Sequence, residues 1–325
     1  MTPRTLMTRL LPVVALTSLL VSPALAGWPA DPTVNVPVCT QIGSQYNPCV
    51  APDGAGGALI VWDDDPHMPA VQRLSANGTP LWTANGVILS GFGSDADFPQ
   101  VVSDGAGGAI VAWHDIRDAL DRVRVQRVSA AGTLLWTSWG VPVTATTTAQ
   151  HGQQLVADGA GGVIVTWMDQ RGGVQHDVYA QRISANGTVL WAADGVAIST
   201  AASVQYNPVI APDGAGGAII AWYDFRSSAT SGYDIYAQRV SAAGAVQWTA
   251  NGVAVCAADS AQIAPVIVAD NAGGAIVAWY DHRSGGGRVY AQRVSSTGAM
   301  QWTANGVLLA GEDCQTRLDA TSDGA

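Results

Sequence analysis

The sequence predicts an all-β protein of the β-propeller class, assembled from antiparallel blades of roughly 50 residues each. Three observations predict it. A motif recurs at intervals of 51, 54, 55, 57 and 53 residues. The segments between its glycines are rich in β-branched and aromatic residues and are bounded by turn residues. No window beyond the N-terminus carries the 3.6-residue apolar period of a helix.

Each unit reads the same way along the chain. Asp53-Gly54-Ala55-Gly56-Gly57 returns at 104–108, 158–162 and 213–217, and as Asp270-Asn271-Ala272-Gly273-Gly274. Such Asp-Gly and Asn-Gly pairs supply the positive φ that tight hairpins need. An apolar strand then ends in Trp, with Asp two residues on: Trp113/Asp115, Trp167/Asp169, Trp222/Asp224 and Trp279/Asp281. Arg117, Arg171, Arg226 and Arg283 follow two residues later, whereas the first unit reads Trp62-Asp63-Asp64-Asp65. A variable loop leads to a second strand, as in Val178-Tyr179-Ala180-Gln181-Arg182. A third strand is expected to carry Trp82, Trp136, Trp191, Trp248 or Trp302, and a short segment such as 252–255 closes the unit. Repeats are therefore placed near 46, 98, 151, 206 and 263, with a partial repeat at 315–325. Sequons at Asn77 and Asn186 are explained by the same turns.

Near the start, Val36-Pro37-Val38-Cys39 leads to Pro48 and Asp53 with the spacing by which Val253-Ala254-Val255-Cys256 leads to Pro265 and Asp270. Residues 28–40 thus read as the last strand of a split sixth repeat, positioned to close a ring and remove sheet edges. The other half opens at Asp323-Gly324-Ala325, so the expectation is a fragment of a larger ring; an open β-repeat array is the alternative.

The address precedes the fold. Arg4 and Arg9, the apolar run from Leu10 to Val21 and Ala24-Leu25-Ala26 have the layout of a secretory signal peptide over residues 1–26, leaving 27–325 as the propeller domain. This predicts an exported protein, periplasmic, cell-surface or extracellular, with no membrane span after signal removal. Cys39, Cys49, Cys256 and Cys314 lack zinc-finger spacing, and their pairing stays open. The chain is 12% charged with a net charge of −10 and a mean hydropathy of +0.18, and all its basic residues are arginines. That balance argues against nucleic acid as a partner.

The repeat D-G-x-G-G…W-x-D-x-R…Y-A-Q-R resembles a tandem repeat of exported bacterial proteins of propeller type, over essentially the whole of 28–325. The resemblance implies fold and export, and no reaction.

Residues that recur in every blade read as structural. Asp115, Asp169, Asp224 and Asp281, with Arg127, Arg182, Arg239 and Arg293, are expected to form Arg–carboxylate pairs stitching strands or blades. Function is sought where the copies differ. The loops after the W-x-D-x-R motif put His114, Arg117, Asp118, Arg171, Asp177, Tyr223, Arg226, Tyr233, Asp234, Tyr280, His282 and Arg283 on one face of the ring as a candidate binding rim. No catalytic set, cofactor or metal is expected, since no two histidines lie at ligand spacing. The sequence therefore reads first as a secreted, non-enzymatic binding scaffold for a protein, peptide or carbohydrate. An extracellular glycan-acting enzyme with Asp carboxylates at the channel rim is the alternative, and a structural cell-surface repeat protein is the third reading.

Overall fold

The computed structural model describes residues 33, 35–91, 96–117, 121–173, 175–227, 231–310 and 318–321. Among these residues the protein is all-β, a propeller of five four-stranded antiparallel blades. The first blade holds β1 (Gln45–Pro52), β2 (Ala58–Asp64), β3 (Met68–Leu74) and β4 (Val87–Ile88). The second holds β5 (Ala96–Ser103), β6 (Ala109–Asp115), β7 (Arg122–Val128) and β8 (Val141–Pro142). The third holds β9 (Gln150–Ala157), β10 (Val163–Asp169), β11 (Asp177–Ile183) and β12 (Val196–Ser199). The fourth holds β13 (Gln205–Pro212), β14 (Ala218–Asp224), β15 (Asp234–Val240) and β16 (Val253–Cys256). The fifth holds β17 (Gln262–Ala269), β18 (Ala275–Asp281), β19 (Arg288–Val294) and β20 (Val307–Ala310). Strands neighbour one another in chain order within every blade. No helix among these residues is long and apolar enough to cross a membrane.

The Asp of each Gly-rich turn explains why the first hairpin forms. Asp53 Oδ1 accepts from the backbone N–H groups of Ala55 (2.8 Å) and Gly57 (2.7 Å), and Asp104, Asp158, Asp213 and Asp270 repeat the arrangement. The other oxygen takes the arginine two strands away: Arg73 to Asp53, Arg127 to Asp104, Arg182 to Asp158, Arg239 to Asp213 and Arg293 to Asp270. These arginines also reach the following blade. Arg127 donates to the Ala185 carbonyl at 2.8 Å, and Arg182 to that of Ala242 at 2.9 Å.

The expected third strand is corrected. The segments around Trp82, Trp136, Trp191, Trp248 and Trp302 are irregular, each held to the preceding strand by a single bridge. A buried glutamine replaces the ladder there. Gln181 Oε1 accepts from Trp191 N (3.1 Å) while its Nε2 donates to the Ala192 carbonyl (2.7 Å), and Gln72, Gln126, Gln238 and Gln292 act in the same way. The fourth strand of each blade is accordingly short.

The apolar core is four separate layers, each shared by two successive blades. The first strands β1, β5, β9, β13 and β17 pack side by side in that order, so they line the centre. No such packing joins β17 to β1 among the described residues. Residues 28–32 and 34 of the expected closing strand lie outside the described residues, and residues 35–40 are irregular rather than strand. Its last part is held, with Thr40 N donating to Asn85 Oδ1 at 2.9 Å. The same bond links Thr200 to Asn251 and Ala257 to Asn305 across successive blades.

Candidate functional site

The blades share one scaffold but differ at one pair of positions. These are the second residue of the inner strand and the residue after the Trp of the second strand, which face each other across the ladder. The pairs are Tyr46/Asp63, Asp97/His114, His151/Met168, Tyr206/Tyr223 and Ile263/Tyr280. In every blade a β-bulge follows, and the next residue has positive φ: Asn47 48°, Phe98 51°, Gly152 62°, Asn207 46° and Ala264 51°. A bulge bends the strand and re-aims its side chains. Here it turns one non-repeating pair per blade onto the central face.

The result is a continuous row of rings over the second to fourth blades. Ring centroids are 5.2 Å apart for His114–His151, 6.0 Å for His151–His176, 5.4 Å for His176–Tyr206 and 5.6 Å for Tyr206–Tyr223. Tyr233 extends it, edge-on to Tyr223 at 5.2 Å and 4.4 Å from Phe225. A cleft of about 380 Å³ opens between the second and third blades, lined among others by Asp97, Phe98, Gln100, His114, His151 and Gln153.

The charges at this cleft are not balanced by arginine. His114 is buried, and its Nδ1 lies 3.0 Å from Asp97 Oδ1. Its Nε2 lies 3.7 Å from Asp121 Oδ1, and His151 Nε2 lies 3.8 Å from Asp121 Oδ2. Burial, and then the neighbouring His114, hold the His151 imidazole below its ordinary value, and burial does the same to His176. In the first blade Asp63 accepts from Asn47 Nδ2 (2.7 Å) and Phe98 N (3.3 Å), yet its Oδ1 is buried with no hydrogen-bond partner. Burial chiefly, with the Asp97 charge adding to it, pushes the Asp63 carboxyl up to about 6.

The structure places the expected rim residues differently from one another. His114, Tyr223 and Tyr233 belong to the row, and Tyr280 occupies the same register beside Ile263. Arg117, Arg171, Arg226 and Arg283 are corrected: each is locked onto the Asp two residues before it, not presented at a rim. Arg171 and Arg226 also stack on Tyr179 and Tyr236, at 3.7 and 3.9 Å. Those four aspartates, Asp115, Asp169, Asp224 and Asp281, additionally accept from the indole N–H of their own blade's Trp. Asp177 and Asp234 sit at the first residues of β11 and β15, opposite Asp169 and Asp224, and burial raises both carboxyls. His282 is held through its backbone to Ala261 and Gly285. Asp118 lies outside the described residues.

Sequence reasoning missed Asp63, Asp97, His151 and Tyr206. Asp97, His151 and Tyr206 precede the Gly-rich motif of their blades, away from the variable loops, and Asp63 directly follows Trp62. The signal was present, since the residue after each Trp reads Asp, His, Met, Tyr, Tyr and the second residue of each inner strand reads Tyr, Asp, His, Tyr, Ile instead of repeating.

No protein-family model matches the chain, and no curated protein matches it. Solved structures do. An endo-arabinase from Bacteroides thetaiotaomicron is 15% identical, covering 84% of this chain and 98% of its own, with a TM-score of 0.43. An α-L-arabinanase from Penicillium chrysogenum, complexed with arabinobiose, is 13% identical over 81% of each chain, with a TM-score of 0.44. An α-L-arabinofuranosidase from Lactobacillus brevis is 11% identical, covering 84% of this chain and 94% of its own, with a TM-score of 0.42. At these identities the likeness is one of fold. The expectation of a non-enzymatic binding scaffold is corrected here: the similar structures are named as glycan-cleaving enzymes, which is the alternative reading of the sequence.

Proposed function

We propose that the protein is a glycan-acting enzyme, exported through its N-terminal segment, and that its site is the central row described above. The observation that carries the reading is the row itself. One cross-strand pair per blade varies in chemistry from blade to blade, and those pairs supply carboxyl, imidazole and phenol groups at the same register of successive blades. Rings such as Tyr206, Tyr223 and Tyr233 offer apolar faces with polar tips, which suits stacking against sugar rings. Asp63 supplies the acid. A carboxyl lifted to about 6 holds its proton in mildly acidic solution, up to about pH 6, and can deliver it there to a leaving oxygen. Asp97 is the neighbouring carboxyl, and glycoside cleavage uses such pairs with separated roles.

The test is release of reducing ends from a panel of polysaccharides, arabinan and galactan among them. Asp63→Asn is expected to lower kcat at least ~100-fold with KM little changed, and Tyr206→Ala to raise KM. Full activity in Asp63→Asn, or no turnover on any glycan, would overturn the assignment.

A further inference from the structure

We propose that His114, His151 and Asp121 form a binding site for a divalent transition metal of the zinc class, held from outside by Asp97. The three side chains come from β6, β9 and the loop before β7, and one ligand atom of each lies within 4.8 Å of the others. Two imidazoles and a carboxylate are a donor set that zinc and its neighbours accept, leaving a position open for water or substrate.

Two further observations point the same way. His114 is more than nine-tenths buried, and its Nε2 has no hydrogen-bond partner. An unsatisfied buried nitrogen costs about 1–3 kcal/mol unless something binds it. That atom faces the Asp121 carboxylate 3.7 Å away, which is too long for a hydrogen bond. The other nitrogen, Nδ1, is 3.0 Å from Asp97 Oδ1. With its proton on Nδ1, His114 donates to Asp97 and turns the Nε2 lone pair toward Asp121 and His151. A carboxylate behind a metal-bound histidine is the usual device for fixing that tautomer.

The spacing fits a metal better than direct contact. Tetrahedral ligands at about 2.0 Å from zinc lie about 3.3 Å from one another. His114 Nε2 and His151 Nε2 lie 3.7 and 3.8 Å from the two different oxygens of Asp121, and one donor atom of each residue lies within 4.8 Å of the others, so closing on an ion takes shifts of up to about 1.5 Å. Asp121 and His151 are each one-third exposed, so the side chains that must move are at the open end of the cleft. Sequence spacing hid this site because its members are 7 and 30 residues apart along the chain and meet only where two blades pack.

This inference stands apart from glycan cleavage, and its readout is metal binding. The full-length exported protein, stripped with chelator, is titrated with Zn²⁺ and with Co²⁺. One ion per chain is expected, with Co²⁺ giving the visible absorption of a site of low coordination number. His151→Ala and Asp121→Ala should weaken binding at least ~100-fold, and Asp97→Asn ~10–100-fold. His282→Ala and Asp63→Asn should bind as wild type. Circular dichroism confirms that each variant folds, and if His114→Ala does not, the one-third exposed His151 position carries the test. Absence of stoichiometric Zn²⁺ or Co²⁺ binding, or equal affinity in His151→Ala and His282→Ala, would overturn the proposal.

Discussion

Asp169 and Asp63 show how one residue type takes opposite roles at adjacent positions of the repeat. Burial opposes ionisation of Asp169, but hydrogen bonds from Arg171 and the Trp167 indole, with the Arg171 charge, hold its carboxyl below its ordinary value. Asp115 and Asp281 follow the same balance, with Arg117 and Arg283 as the leading partners. A depressed folded-state value adds stability that is complete above the ordinary 3.8 and is lost as pH falls below it. Thermal melts should therefore drop steeply below about pH 4. Asp169→Asn, which leaves the Arg171 charge without its carboxylate, should cost roughly 3 kcal/mol at pH 7 in denaturant titration. Asp63 carries the reverse sign. Its raised value makes the folded state lose stability as pH climbs from 3.8 to about 6. Asp63→Asn should thus melt higher than wild type at pH 7.5, by roughly 2–3 kcal/mol, and the gap should close at pH 4. A gap independent of pH would refute the assignment of Asp63 as a proton-holding carboxyl.

At the scale of the element, the bulge and the turn before the fourth strand govern each blade. Gly252 ends one such turn with φ of 88°, and a Cβ there would lie 2.6 Å from the Trp222 ring. Gly252→Ala would combine backbone strain with overpacking, at about 3 kcal/mol, read as a lower denaturation midpoint. Ala264 makes the contrasting case. It holds φ of 51° at its bulge, so Ala264→Gly relieves strain and should change stability by less than about 1 kcal/mol in either direction. The hairpin turns were legible in the sequence because Asp-Gly dictates a local conformation. The bulges were not, because Asn47 and Asn207 match but Phe98, Gly152 and Ala264 share no residue type with them or with one another. Their φ is imposed by the ladder around them. The sequence also suggested a strand at each second Trp, since β-branched and aromatic residues cluster there, but the buried glutamine takes the hydrogen bonds that a strand would have made.

Across the whole molecule, stability lies between blades. Trp82, Trp136, Trp191 and Trp248 each donate an indole hydrogen bond to the following blade, to Ala130, Ala185, Ala242 and Ser296. Trp302 occupies the same repeat position, is 38% exposed, and faces no described blade. Trp191→Ala should cost about 3–5 kcal/mol and Trp302→Ala under about 1 kcal/mol. Equal losses would mean that another surface covers Trp302. The exposed Tyr46 and Val50 on β1 are the counterpart at the other end of the arc. The Thr40–Asn85 bond keeps residues 35–40 where the outer strand of a preceding blade would run.

The sequence by itself determined the class of fold, a propeller of antiparallel blades, because repeated turn chemistry is local and needs no partner to be read. It also set some recurring Asp and Arg residues aside as structural, since a feature present in every blade cannot mark one site, but it placed Arg117, Arg171, Arg226 and Arg283 at a rim, whereas each is paired with the Asp two residues before it. Only the tertiary structure decided which non-repeating residues meet. Asp63, Asp97, His114, Asp121 and His151 are scattered over three blades, and their meeting depends on blade packing and on bulges that no residue pattern announces. The physical reason is one of range: turns and strands are fixed by neighbours in sequence, whereas a burial-shifted carboxyl or a group of ligands is fixed by neighbours in space.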